Sequence, residues 1–131
     1  MKIEEIARVL DATVHYLPPG FDKDFKFAGA SDLMSDVLAD VSLDIVLITG
    51  LMHIQVIRTM VLMEISAVVF TRGKTPTAEI LETARGANIA VLSTRLKLFT
   101  SSGILYASGM RNFDDEKRRM QEYGRQPEEA R

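Results

Sequence analysis

Short runs of β-branched and apolar residues that alternate with amphipathic segments constrain the fold of this chain more than any other feature. The clearest runs occupy residues 45–48, 67–70 and 88–92. Such runs are typical of strands covered on both faces, and their alternation with helical segments indicates parallel strands joined by crossover helices. Weaker candidate strands lie at 12–16 and 25–30. The sequence therefore predicts an α/β fold, a layered and mostly parallel sheet of about five short strands flanked by helices.

Segments with apolar residues at helical spacing fill the intervals between these runs. They cover residues 2–10, 31–39, 52–65, 76–87 and 96–110. Ser31 and Asp32 are expected to cap the second of these helices, and Thr75 the fourth, because Pro76 suits a first helical position. Residues 1–110 are thus expected to form one α/β domain. Residues 111–131 carry dense charge of both signs, which predicts a charged C-terminal tail that is helical or disordered.

The composition excludes several classes of function. The chain has no cysteine and two histidines, so disulfides, thiolate metal ligands and a cysteine nucleophile are absent. No ligand spacing indicates a metal site, and no cofactor is expected. The net charge of −2 offers no overall positive field for nucleic acid. Without a signal-peptide pattern or a clean span of about 20 apolar residues, the sequence predicts a cytoplasmic protein that does not enter a membrane.

The candidate binding residues lie at three strand-to-helix joints. In an open α/β sheet, ligands bind beyond the carboxyl ends of the strands, where the following helices begin. Hydroxyl, glycine and cationic residues in such loops suit an anion, especially a phosphate. The candidates are Gly50 and His53 in the first joint, Thr71, Arg72, Gly73, Lys74 and Thr75 in the second, and Ser93, Thr94 and Arg95 in the third.

The second joint partly matches a phosphate-binding P-loop. Gly73-Lys74-Thr75 copies the end of that motif, but the motif needs a glycine five residues before Gly73, where this chain has Val68. The segment therefore either binds a single phosphate or is a turn and helix cap without a ligand. His53 is a candidate acid or base, although a lone histidine at a helix start is more often structural.

The segment 52–65 is apolar over about half of its helical circumference. One interpretation is a central helix packed both on the sheet and on a neighbouring helix. The other is that its second face forms a homodimer contact that includes Met60 and Met63, since methionine supplies adaptable apolar surface.

The same joints carry a family resemblance, which extends over residues 1–110. The segment 28–37, the loops after residues 49 and 71, and the run 89–94 are similar to DRTGG domains. These domains occur alone, beside CBS domains in some pyrophosphatases and in phosphotransacetylase-like proteins, and they resemble the N-terminal domain of HPr kinase/phosphorylase. In the first loop, Leu51 and Met52 stand where the family has an Asp-Arg pair. In the second loop, Arg72 stands where the family has glycine.

The resemblance implies a regulatory or sensory domain rather than an enzyme. The leading hypothesis is a non-catalytic module, acting as a homodimer, that binds a nucleotide or phosphorylated metabolite at the carboxyl edge of the sheet. The first alternative is a protein-interaction or dimerisation domain without a small-molecule ligand. A phosphoryl-transfer enzyme that uses Lys74 and His53 ranks last, because no complete catalytic constellation is present.

Overall fold

The structure, a computed structural model, describes residues 1–39 and 44–112. Within those residues the chain forms five strands and five helices, so the predicted α/β class is confirmed. In chain order they are α1 (Ile3–Val9), β1 (Thr13–Tyr16), β2 (Phe27–Ala30), α2 (Met34–Ala39), β3 (Ile45–Thr49), α3 (Ile54–Met63), β4 (Ala67–Phe70), α4 (Ala78–Gly86), β5 (Ala90–Ser93) and α5 (Leu98–Ala107).

The strands form one sheet in the order β1-β5-β4-β3-β2. The four strands from β2 to β5 are parallel and pair in sequential order, whereas β1 pairs antiparallel with β5. The sheet is therefore mostly parallel, as predicted. Because β3, β4 and β5 lie side by side and run the same way, the three predicted joints share one edge of the sheet.

Helices cover both faces of this sheet. Apolar residues of α2, α3 and α4 share one core cluster with Leu47, Val68 and Val91, while α1 and α5 share a second cluster with alternate strand residues such as Val46 and Val69. Consecutive right-handed crossovers that advance in one direction place their helices on one face, which explains the grouping of α2, α3 and α4. Of the helices in residues 1–39 and 44–112, α1 and α5 pack on the other face, so the connections that leave β4 and β5 diverge to opposite faces.

The fourth helix begins later than the sequence predicts, and the prediction of Thr75 as its N-cap is wrong. Thr77 is the N-cap: its backbone is extended, and its hydroxyl accepts a hydrogen bond from Ile80 N–H at 3.2 Å. The first helical residue is Ala78, so the helix starts beyond the proline. Gly73 therefore lies in a turn, Lys74 and Thr75 lie in the loop that follows it, and the segment does not open a helix.

The α3 helix ends in a left-handed residue. Glu64 has φ of 57°, is exposed and donates its backbone N–H to Met60 O, which closes the last turn. Met60 itself is fully buried against the sheet with 0% exposure. The predicted dimer contact through Met60 does not fit this burial, because a partner surface cannot reach that side chain in the folded domain. Met63 is half-buried, and the outward residues of the helix are Val61 and Leu62.

The domain extends slightly past residue 110. Arg111 forms a parallel β-bridge with Phe27, and Ala28 N–H donates to Arg111 O at 3.0 Å. The greater part of the predicted tail, residues 113–131, lies outside the described residues. No helix in the described ranges is long and apolar enough to cross a membrane.

Candidate functional site

The three predicted joints are in direct contact at the carboxyl edge of the sheet. Between the second and third joints, Arg72 N–H donates to Leu96 O at 2.9 Å, and Gly73 N–H donates to Thr94 O at 2.8 Å. Between the first and second, Arg72 Nη2 donates to Gly50 O at 2.8 Å. Thr71 N–H also donates to Thr49 O at 2.9 Å. The second joint is thus hydrogen-bonded to the third by backbone and to the first by both backbone and the Arg72 side chain.

The turn in the second joint has unusual backbone geometry. Arg72 and Gly73 both have positive φ, 68° and 73°. This conformation is ordinary for glycine but costs other residues about 1–2 kcal/mol. A Cβ on Gly73 would lie 3.8 Å from Cα and Cγ of Arg95, so the second and third joints are also in van der Waals contact.

Exposed cations line the second and third joints. Arg72, Lys74, Arg95 and Lys97 are all exposed, and no acidic residue occurs within residues 71–77 or 94–98. We call these four side chains the cationic edge. Among the described residues only Arg72 of the four forms an ion pair, with Asp32. The local field is therefore positive, although the whole chain carries a net charge of −2.

Asp32 is a site residue that the sequence analysis took only for a helix cap. Its Oδ1 accepts hydrogen bonds from Gly50 N–H at 2.5 Å and from the Thr49 hydroxyl at 3.4 Å. Its Oδ2 lies 3.7 Å from Arg72 Nη2. Ser31 Oγ accepts a hydrogen bond from Leu33 N–H at 3.0 Å, in the turn that precedes α2. A carboxylate–guanidinium pair is thus present at the first joint, although residues 51 and 52 supply neither charge.

The hydroxyl groups of the joints differ in their partners. Thr94 is buried; its hydroxyl donates to Leu10 O at 2.6 Å and accepts from Leu96 N–H at 3.3 Å. Ser93 lies 2.6 Å from His15 Nε2, measured at Oγ. Thr71 is 1% exposed, and its Oγ1 has no hydrogen-bond partner within the described part of the chain. A buried hydroxyl without a partner is costly, so Thr71 marks a polar position that the described residues leave unsatisfied.

The two histidines have structural contacts. His53 is exposed and is the N-cap of α3, where its Nδ1 accepts a hydrogen bond from Gln55 N–H at 3.0 Å. That bond occupies one ring nitrogen and matches the structural alternative for this residue. His15 is partly buried on β1, and desolvation lowers its pKa below the usual value. In the described ranges no three His, Asp or Glu side chains cluster in a way that suits a metal ion.

The cavities near the sheet edge lie beside the joints rather than within them. A cavity of about 190 Å³ lies between β2 and α5, lined among others by Ala30, Ile48, Leu105 and Tyr106. A second, of about 170 Å³, lies on the α2 side of the same strand, near Ser31, Asp36 and Val37. Neither of these two cavities is lined by a residue of the cationic edge.

Fold and site together define a small α/β domain with a cationic carboxyl edge and no assembled catalytic group in the described residues. The chain belongs to the DRTGG domain family, whose family model matches residues 5–108. It is similar to the crystal structure of the CBS and DRTGG domains in the regulatory region of a Clostridium perfringens pyrophosphatase, complexed with the activator diadenosine tetraphosphate. The TM-score is 0.66 with 21% identity, over 79% of this chain and 45% of the other. A search of curated proteins found no match.

Proposed function

We propose that this DRTGG domain is a non-catalytic regulatory module that binds a phosphate-bearing ligand, a nucleotide or a phosphorylated metabolite, at its second and third joints. The observation that carries the proposal is the divergence of the connections after β4 and β5 to opposite faces of the sheet. Ligands of open α/β sheets bind beyond the carboxyl ends of strands at such a point. The four cations of the cationic edge flank this position.

The charge distribution favours an anion with several negative oxygens. Lys74 and Arg95 lie on adjacent loops and have no ion-pair partner among the described residues. A phosphate chain can contact both without displacing a carboxylate. Thr71 adds an unsatisfied hydroxyl at the second joint, provided that a ligand shifts the turn enough to reach it. The proposed site does not need a glycine-rich loop that encloses the ligand, because charge-assisted hydrogen bonds from the cations can hold one or two phosphates.

The comparison with the pyrophosphatase supports a regulatory role and a nucleotide ligand. In that protein a DRTGG domain is part of a regulatory region that takes a dinucleotide activator. This chain matches 45% of that structure, so the activator is a guide to ligand class and not an assignment to this domain.

Calorimetric titration with ATP, GTP and diadenosine tetraphosphate tests the proposal. A charge-assisted hydrogen bond contributes about 1.5–3 kcal/mol, roughly ten- to a hundred-fold in affinity. Lys74→Ala and Arg95→Ala should each weaken binding by about that factor. Arg58→Ala removes an exposed cation from α3 and is the charge-matched control, while Leu51→Ala tests the first joint; both should bind nearly as the wild type does. Binding that survives Lys74→Ala and Arg95→Ala unchanged contradicts the proposed site.

The non-catalytic part of the proposal has its own test. Purified protein with ATP, GTP or acetyl phosphate should show no hydrolysis or transfer above buffer. Turnover proportional to protein concentration and abolished by Lys74→Ala contradicts a purely regulatory domain.

Exposed apolar residues favour a second candidate function, a protein-interaction or homodimerisation domain. On α3, Leu62 is 75% exposed and Val61 51% exposed, and on α5 Phe99 is 90% exposed. Contiguous exposed apolar surface is typical of sites that bind another protein, and Val61 and Leu62 are neighbours on α3. We propose a homodimer through the outward face of α3, with Val61 and Leu62 in the contact and Met63 at its border. If no nucleotide binds the wild type below about millimolar concentration, roughly −4 kcal/mol of binding free energy, this second function replaces the first.

A further inference from the structure

The Asp32 carboxylate occupies a set of donors that an anionic ligand also requires. A backbone N–H from Gly50, a hydroxyl from Thr49 and a guanidinium from Arg72 converge on its two oxygens. These are the donor types that proteins use for phosphate oxygens. Thr49 and Gly50 belong to the first joint and Arg72 belongs to the second. The Asp32 carboxylate comes from the connection between β2 and α2, which is not one of the three joints.

The position of Arg72 does not depend on Asp32 alone. The Arg72 guanidinium also donates to Gly50 O at 2.8 Å, so it remains at the first joint when the carboxylate leaves. The Asp32 and Arg72 side chains are 47% and 48% exposed, and their closest charged atoms are 3.7 Å apart. Exposed ion pairs of this length contribute little to stability, which makes the contact exchangeable with a solution anion.

We propose that Asp32 is an internal competitor of the anionic ligand: its carboxylate and a phosphate group bind the first joint in a mutually exclusive way. The inference rests on the proposed anion-binding function and adds its regulation. In the state described here the first joint is closed by Asp32, and the ligand is left with the second and third joints. A phosphate that enters the first joint displaces Asp32 and also the start of α2, because Met34 is only two residues further along the chain.

Displacement of Asp32 links ligand binding to a change on the surface of the domain. Leu33, between Asp32 and the helix, is 58% exposed, so movement of this segment changes an apolar surface next to the ligand. A regulatory domain needs such a link between its ligand site and a surface that a partner can contact, because a ligand shifts only equilibria in which it binds the two states differently.

Inorganic phosphate titrated into 15N-labelled protein, followed by two-dimensional NMR, tests this competition. In Asp32→Ala the Gly50 amide has no carboxylate acceptor, and its resonance should shift saturably with phosphate. The wild type should need about ten-fold more phosphate for the same shift, since Asp32 must first be displaced. Asp36→Ala is the matched control: it removes an exposed carboxylate from α2 with the same change in charge and should respond as the wild type does.

Asp32→Asn covers the case in which the alanine variant folds poorly. Its amide oxygen still accepts from Gly50 N–H, so the Gly50 resonance should stay insensitive while the Arg72 side-chain N–H resonance shifts with phosphate. The inference is overturned if neither the Gly50 nor the Arg72 resonance of the folded Asp32 variants responds to phosphate. It is also overturned if the Gly50 resonance of Asp36→Ala responds to phosphate as strongly as that of Asp32→Ala. Failure of wild-type protein to bind any nucleotide instead contradicts the proposed function, and it leaves the Gly50 response of Asp32→Ala as a separate result.

Discussion

The guanidinium of Arg72 occupies the space that a side chain on residue 50 would fill: a Cβ on Gly50 would lie 2.5 Å from Nη2 and 2.7 Å from Nε of Arg72. Arg72 also donates to the Gly50 carbonyl oxygen, so the two residues join the first and second joints by both shape and hydrogen bonding. The identity of residue 50 therefore controls where the charge of Arg72 is held.

Gly50→Ala should release Arg72 rather than unfold the domain. The atoms that the new methyl group meets are the far end of a flexible side chain, which can rotate away. The loss is then one hydrogen bond and a weak ion pair, about 1 kcal/mol of unfolding free energy. Urea denaturation measures it. Gly86→Ala, a helical position with nothing within 4 Å, is the control and should raise stability by about 0.5–1 kcal/mol. A loss above about 3 kcal/mol in Gly50→Ala contradicts a movable Arg72.

Replacement of Arg72 by glycine and by alanine separates backbone strain from side-chain contacts. Both changes remove the bonds to Gly50 and Asp32, but only glycine accepts φ of 68° without strain. Relief of about 1–2 kcal/mol of strain exceeds the extra conformational entropy that glycine loses on folding, about 0.5–1 kcal/mol, so Arg72→Gly should be more stable than Arg72→Ala by about 0.5–1 kcal/mol. Equal denaturation midpoints for the two variants contradict the left-handed turn at this residue.

The two threonines that flank Pro76 should respond differently to alanine. Thr77 caps α4 through its hydroxyl, so Thr77→Ala should lower the unfolding free energy by about 1 kcal/mol. Thr75 is exposed and is not the N-cap of α4, so Thr75→Ala should stay within about 0.5 kcal/mol of the wild type. Thermal unfolding of both variants decides between the two cap positions, and the reverse order of stability restores Thr75 as the cap.

The fold class could be predicted because each buried strand corresponds to a short continuous run of residues in the sequence. The runs 45–48, 67–70 and 88–92 contain the β-branched residues of buried strands, and the structure has a strand at each. The cap of α4 was less certain, since threonine on either side of Pro76 can accept the same kind of bond. Local propensity does not distinguish them; the position where the helix can pack on the sheet does.

Only part of the site could be predicted from the sequence, because the site depends on which strand-to-helix connections are neighbours in the folded sheet. Periodicity gives the direction of β3, β4 and β5 but not the position of β2 beside β3. That neighbour relation brings Asp32 to Gly50, 18 residues away in sequence. The burial of Met60 also could not be predicted from the sequence. A wide apolar arc indicates that a helix packs on two surfaces, and only the folded structure shows which residues face the core.

His15 should make stability depend on pH. Burial lowers its pKa in the folded protein below the unfolded value near 6.5, so the fold favours the neutral ring. Its contribution is fully present above the unfolded pKa and is lost as pH falls through 6.5 toward the folded pKa. The stability difference between the wild type and His15→Gln should therefore shift against the wild type as pH falls from about 7.5 to about 5.5. Denaturation at several pH values measures it, and a difference that is constant across this range contradicts the lowered pKa.

The outward face of α3 should control assembly. Val61 and Leu62 are exposed on a helix whose inward residues, such as Met60, already fill the core. Wild-type protein at micromolar concentration should give twice the chain mass in light scattering, and Val61→Lys with Leu62→Lys should give the chain mass, because two charges in an apolar contact oppose association. Phe99→Lys with Tyr106→Lys is the matched control, since it adds the same charge on exposed positions of α5, on the other face of the sheet. Circular dichroism confirms that both variants fold. A monomeric wild type contradicts the homodimer, and dissociation by the α5 substitutions alone moves the contact to that helix.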